Sequence, residues 1–85
     1  MIYVWDFIKN HYGDNLSSAM SALLCITRKF PKELNYPNNG RRLTGDDILR
    51  LMDHKSDAEL LEVRGLGQKR LEFLRQLQWD IRRAS

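Results

Sequence analysis

An all-α bundle of about five short helices is the fold this sequence predicts, and three observations predict it. Apolar residues recur at helical spacing in segments near both ends of the chain. Two stretches in the second half open on a residue that caps helix N-termini and carry carboxylates in the turn that follows. The stretch with turn composition, residues 31 to 43, is flanked by none of the apolar–polar alternation that marks strands.

The first segment, IYVWDFIKNHYGDN, sets Val4, Trp5, Ile8 and Tyr12 on one helical face and is expected to stop at Gly13, since glycine accepts the backbone that ends many helices. The next, NLSSAMSALLCITRKF, offers Ser17 or Ser18 as N-cap and Met20, Leu23, Leu24 and Phe30 at helical spacing before Pro31 stops it. Few polar residues interrupt this helix, so it is expected to be the central one. Residues 31 to 43, PKELNYPNNGRRL, hold both prolines and an Asn-Asn-Gly cluster and read as a loop. Asn39-Gly40 suits a hairpin turn, but without flanking strands no sheet is expected.

Two short helices follow. In TGDDILRLM, Thr44 is the N-cap and Asp46 and Asp47 lie in the first turn, where carboxylates meet the positive end of the helix. In SDAELLEV, Ser56 and Glu59 have the spacing of a capping box. The last helix is expected from about Gln68 to Arg82. At 100° per residue its inner face holds Leu74, Leu77 and Ile81, with Phe73 and Arg70 at the border. Trp79 falls on nearly the opposite side, within one turn of Arg75 and Arg83. The expectation is that the helix carrying Trp5 covers it; exposure among the arginines is the alternative.

At 85 residues and 10.1 kDa the chain makes one domain, residues 1–14 a helical extension and 15–85 the core, and is too short for an enzyme with a deep pocket and a lid. With 42% hydrophobic and 29% charged residues it is too apolar to stay disordered. The single Cys25, in an apolar run, allows no internal disulfide or metal cluster and reads as the reduced thiol of a cytosolic protein. The N-terminus has neither the layout of a signal peptide nor an apolar stretch long enough for a membrane span, so a cytoplasmic location is expected. No cofactor, metal, membrane or small-molecule partner is expected either. Adjacent Asp46 and Asp47 point about 100° apart on a helix, and His11 and His54 are isolated, so no acid–base pair or activated nucleophile suggests an enzyme.

Charge is segregated. Residues 1 to 43 carry six Lys and Arg against three acids, residues 44 to 63 two against six, and residues 64 to 85 six against two. Basic charge gathered toward both ends of the chain suits a nucleic-acid footprint better than an even spread of the net +3 would.

The stretch VRGLGQKR, residues 63 to 70, reads as a tight hairpin between two helices. Gly65 and Gly67 can take backbone angles forbidden to other residues, and Leu66 anchors the turn into the core. The free amides of Gly67, Gln68 and Lys69 open the last helix, and Arg64, Lys69 and Arg70 add full charges around them. Phosphate is the natural anion for such an end, and the missing side chain at Gly67 would let a bulky backbone approach.

This pattern resembles the helix-hairpin-helix motif of DNA-binding proteins. Residues 43 to 77, LTGDDILRLMDHKSDAELLEVRGLGQKRLEFLRQL, are similar to the C-terminal domain of the bacterial RNA polymerase alpha subunit, a SAM-like helical fold, in the order and spacing of its "GDL" helix, its short "ELL" helix and its "LGKKSL" turn. The resemblance implies contact with the DNA backbone and minor groove through the domain's first helix and the hairpin, and contact with transcription factors. Carried over, it places the turn on Gly65, Leu66, Gly67, Gln68 and Lys69, puts Arg70 where the family has serine, and Phe73 where it has a glutamate that touches proteins. Aligning the family's first helix with residues 16 to 24 leaves Ala19 and Ala22 at its DNA-contacting arginine and asparagine. The loop is also longer than the family's, though its Arg41 and Arg42, with Arg28 and Lys29, could bring basic charge from another direction.

The expected function is therefore a DNA-binding module, tied to transcription, that grips the phosphates of double-stranded DNA through Arg64, Gly65, Gly67, Gln68, Lys69 and Arg70, aided by Arg41 and Arg42. The alternative is a module of the same fold that binds a protein, for example of the transcription machinery, with the glycines serving only the turn.

Overall fold

The computed structural model describes residues 1–34 and 43–84. Arg41, Arg42 and the Asn39-Gly40 turn lie outside the described residues. Within them the chain forms α1 (Val4–His11), a 3-10 turn (Gly13–Asn15), α2 (Leu16–Lys29), α3 (Gly45–His54), α4 (Asp57–Leu61) and α5 (Gly67–Ala84), and no strand. The all-α bundle of five short helices is thus the observed architecture.

Both predicted start signals operate. The Asp47 amide donates to Thr44 Oγ1 at 3.3 Å while the Thr44 amide donates to the Asp47 carboxylate at 3.1 Å, so α3 opens on a full capping box. Ser56 and Glu59 exchange the same pair of bonds at 3.2 Å each at the start of α4. Each box satisfies amides that the helix itself leaves unpaired.

The first half departs from expectation in detail. α1 ends at His11 with Tyr12 as its C-cap, and Gly13 instead opens the 3-10 turn. That turn runs straight into α2, whose first residue Leu16 is already helical, so the N-cap is Asn15 and neither Ser17 nor Ser18. The buried face of α2 is Ala19, Ala22, Leu23, Ile26 and Thr27, leaving Met20 exposed and Leu24 and Phe30 half-buried. Leu23 is buried as expected, while the two alanines and Ile26 take the part of the face expected of Met20 and Leu24.

α5 takes the central place expected of α2. Its inner stripe of Leu71, Leu74, Leu77 and Ile81 is long enough to pack against α2, α3 and α4 at once. α1 packs on α2 and brings Val4, Phe7 and Ile8 into the same core. Its entry is pinned to the start of α3 by an isolated antiparallel bridge between Tyr3 and Thr44, with Val4 N–H donating to Leu43 O and Gly45 N–H to Ile2 O, both at 2.8 Å. At the far end the Tyr12 hydroxyl donates to Asp80 and its ring meets Phe73 edge-on at 5.1 Å. The N-terminal segment is thus tied at both ends.

Trp79 is 57% exposed, so Trp5 and its helix do not cover it. The outer face of α5 is turned to solvent along this length because α2, α3 and α4 occupy only its inner side.

Candidate nucleic-acid interface

The hairpin is built by consecutive tight turns. Val63 N–H donates to Leu60 O at 3.0 Å and Leu66 N–H to Val63 O at 3.1 Å, so the chain curls out of α4 without leaving those carbonyls unpaired. Gly65 and Gly67 have φ of 84° and 69°, left-handed angles that other L residues adopt only at a cost. Between them Leu66 is buried and fixes the turn to the core. This is the arrangement expected from VRGLGQKR.

The two glycines face different surroundings. A Cβ placed on Gly65 would sit 3.9 Å from Cys25 Sγ, so this side of the turn lies on α2. One placed on Gly67 would meet nothing within 4 Å. Gly67 is thus required by its backbone angle and not by packing, and the space beside the first amides of α5 is open.

Within the described residues, four of the twelve Lys and Arg are ion-paired, and eight, Lys9, Arg28, Lys29, Lys32, Arg64, Lys69, Arg70 and Arg83, are not. Arg50 pairs with Asp47 at 2.9 Å, Lys55 with Glu33 at 3.2 Å, Arg75 with Asp57 at 2.8 Å and Arg82 with Asp53 at 2.6 Å. Lys55 also stands 4.7 Å above the ring of Phe30. Arg64 and Lys69 are exposed and, among the described residues, have no carboxylate within ion-pair distance. Arg70 is half-buried and folds back so that its guanidinium donates to Gly65 O. It therefore braces the hairpin from within, with only part of its charge turned outward. Gln68 is exposed beside Lys69.

The structure thus brings Arg64, Gly65, Gly67, Gln68, Lys69 and Arg70 together on one turn. Ala19 and Ala22, aligned with the family's DNA-contacting side chains, are fully buried, and a longer side chain at either would fall inside the core. That face of α2 offers a ligand nothing. Phe73, aligned with the family's protein-contacting glutamate, packs on Tyr12.

Arg75, given no role by its spacing, fastens the junction of α3 and α4 to α5. The Arg75 guanidinium donates to Met52 O, Lys55 O and Asp57 Oδ1 at 2.8 Å each and to Gln78 Oε1 at 3.0 Å. It therefore ties the end of α3 and the entry of α4 to α5. Three of its four partners lie 18 to 23 residues earlier, beyond any local spacing rule. Asp53 is held in the same region by Arg82 and Gln78, and the hydrogen bond from Arg82 is the main cause that lowers its pKa.

Among the described residues no group of three or more His, Cys, Asp or Glu side chains is placed to hold a metal ion, and no helix is long and apolar enough to cross a membrane. Comparison of the chain with protein-family models, with curated proteins and with solved structures gave no match.

Proposed function

We propose that this chain is a DNA-binding module that holds the phosphate backbone of a duplex at the hairpin of residues 64 to 70, with little sequence preference. The observation that carries this reading is the pairing of an open helix N-terminus at Gly67 with two exposed cations, Arg64 and Lys69, that flank it without an ion-pair partner among the described residues. Backbone amides and full charges then converge on a single anion. A turn needed only for folding would account for the two positive φ values and the burial of Leu66. It does not require cations on both sides of the open amides. The resemblance of residues 43 to 77 to the polymerase alpha C-terminal domain adds transcription as the setting and a cytoplasmic place of work.

The hairpin alone offers about two phosphate contacts, which puts its affinity in the non-specific range of about 1–100 μM at physiological salt. The test is fluorescence anisotropy with a labelled duplex of about two helical turns, comparing wild type with an Arg64→Ala, Lys69→Ala double variant that leaves both glycines intact. Loss of binding in a variant whose circular dichroism and melting match wild type supports the reading; equal binding by the two refutes it.

Trp79 favours the second reading, a protein-interaction module of the same fold. It stands exposed on the outer face of α5 between Arg75 and Arg83, where it would suit a partner's apolar side chain. A wild-type chain that binds no duplex at low salt would make this the working hypothesis.

A further inference from the structure

The 3.9 Å between a Cβ built on Gly65 and Cys25 Sγ sets the hairpin beside α2 and so near a second stretch of basic residues that is far from it in sequence. Cys25 is half-buried on α2, and the hairpin lies against it. On a helix, residues three and four further on are its surface neighbours, about 5–6 Å away between Cβ atoms. Those neighbours are Arg28 and Lys29, in the last turn of α2, both exposed and, among the described residues, without a carboxylate in ion-pair distance. Glu33, the nearest acid along the chain, is engaged by Lys55.

We infer that the DNA-facing surface continues from the hairpin across Cys25 onto the end of α2, where Arg28 and Lys29 take phosphates next to the one held at Gly67 and Lys69. This inference rests on the DNA reading above. The partner is committed to duplex DNA on charge: Arg28 and Lys29 are the helical neighbours of Cys25, Arg64 and Lys69 flank the turn that lies beside it, and none of the four has an ion-pair partner among the described residues. A polyanion with closely and regularly spaced charges can neutralise such a row, whereas a single bound anion can meet only one end of it. The extension also offers a substitute for the contacts that buried Ala19 and Ala22 cannot make, from the opposite end of the same helix.

A purely structural explanation of Arg28 and Lys29 exists. Cations in the last turn of a helix complement its macrodipole, worth about 0.3–1 kcal/mol each at the surface. That role needs neither nearness to the hairpin nor a missing carboxylate partner, and it predicts an effect on melting and none on DNA.

Two measurements on the intact chain test the extension. The first is the salt dependence of duplex binding for wild type and for an Arg28→Ala, Lys29→Ala variant: loss of two phosphate contacts lowers the slope of log K against log salt by about one to two units. The second uses Cys25, the single cysteine, as a native reporter whose reaction rate with a thiol reagent is followed with and without saturating duplex. Several-fold slowing is expected, because the bound strand lies over it. An unchanged slope, or a Cys25 that reacts equally fast in the complex, overturns the extension. If the Arg64→Ala, Lys69→Ala variant still loses binding, the hairpin site survives that result. Failure of wild type to bind duplex at all overturns both.

Discussion

Replacing Arg75 with Met removes the clamp between the α3–α4 junction and α5 while keeping most of the side chain's apolar stem. The guanidinium donates four hydrogen bonds, and they differ in worth. The pair with Asp57 is a surface ion pair, since the Asp57 side chain is 66% exposed, and adds about 0–1 kcal/mol. The bonds to Met52 O and Lys55 O satisfy carbonyls at the end of α3 from a charged donor, about 1.5–3 kcal/mol each before solvent takes back a share. A net loss of about 2–4 kcal/mol follows, and in a domain of this size about 1 kcal/mol moves the melting temperature by about 4–8 °C. Urea and thermal unfolding followed by circular dichroism read this directly. Arg75→Lys should recover less than half of the loss, because a compact ammonium lacks the planar fork of N–H donors with which the guanidinium reaches both carbonyls and Asp57 at once. A loss under about 0.5 kcal/mol in Arg75→Met, or full recovery by Lys, would refute the view that this fork holds α3, α4 and α5 together.

Gly65→Ala and Gly67→Ala should each cost about 1–2 kcal/mol in unfolding experiments from their backbone angles, although neither new methyl group clashes; equal stability with wild type would contradict the left-handed turn. Burial and then the hydrogen bond to Asp80 raise the Tyr12 pKa above its ordinary value of 10.0. The folded state thus favours the protonated phenol, so this stability is fully present below pH 10 and is lost as pH rises beyond it. Tyr12→Phe should show a flatter alkaline limb in stability against pH. Asp53 has the opposite sign: Arg82 lowers its folded pKa, so its contribution is present above the ordinary value of 3.8 and fades as pH falls through the lower folded value. Asp53→Asn should therefore lose the small acid-side slope that wild type shows in urea titrations between about pH 4 and pH 2.

What could be read from the sequence was local. Thr44, Ser56 and Glu59 announce their helices because a cap needs only its own next three residues. Gly65 and Gly67 announce the hairpin because a left-handed angle is a property of a single residue. What could not be read depends on distant partners. The buried face of α2 is set by what its alanines pack against, so spacing alone favoured Met20, which is exposed. Trp79 stays uncovered because the segment after α1 is tied through Tyr12 to Asp80, which leaves Trp79 facing solvent. Arg75 looked like one more surface cation until the fold brought Met52, Lys55 and Asp57 to it. The hairpin's cations lay together in sequence and needed no such assembly. Arg28 and Lys29 are linked to them only through the fold, which sets Gly65 beside Cys25 on α2.

The most direct test of phosphate binding at the hairpin is the salt dependence of wild-type binding to a labelled duplex from about 20 to about 200 mM salt. A linear fall of log K with log salt is predicted, with a slope of about −2 if the hairpin acts alone and about −4 if the end of α2 joins it. Binding that does not weaken with salt, or none at the lowest concentration, would contradict a phosphate-gripping hairpin and leave Gly65 and Gly67 as turn chemistry alone.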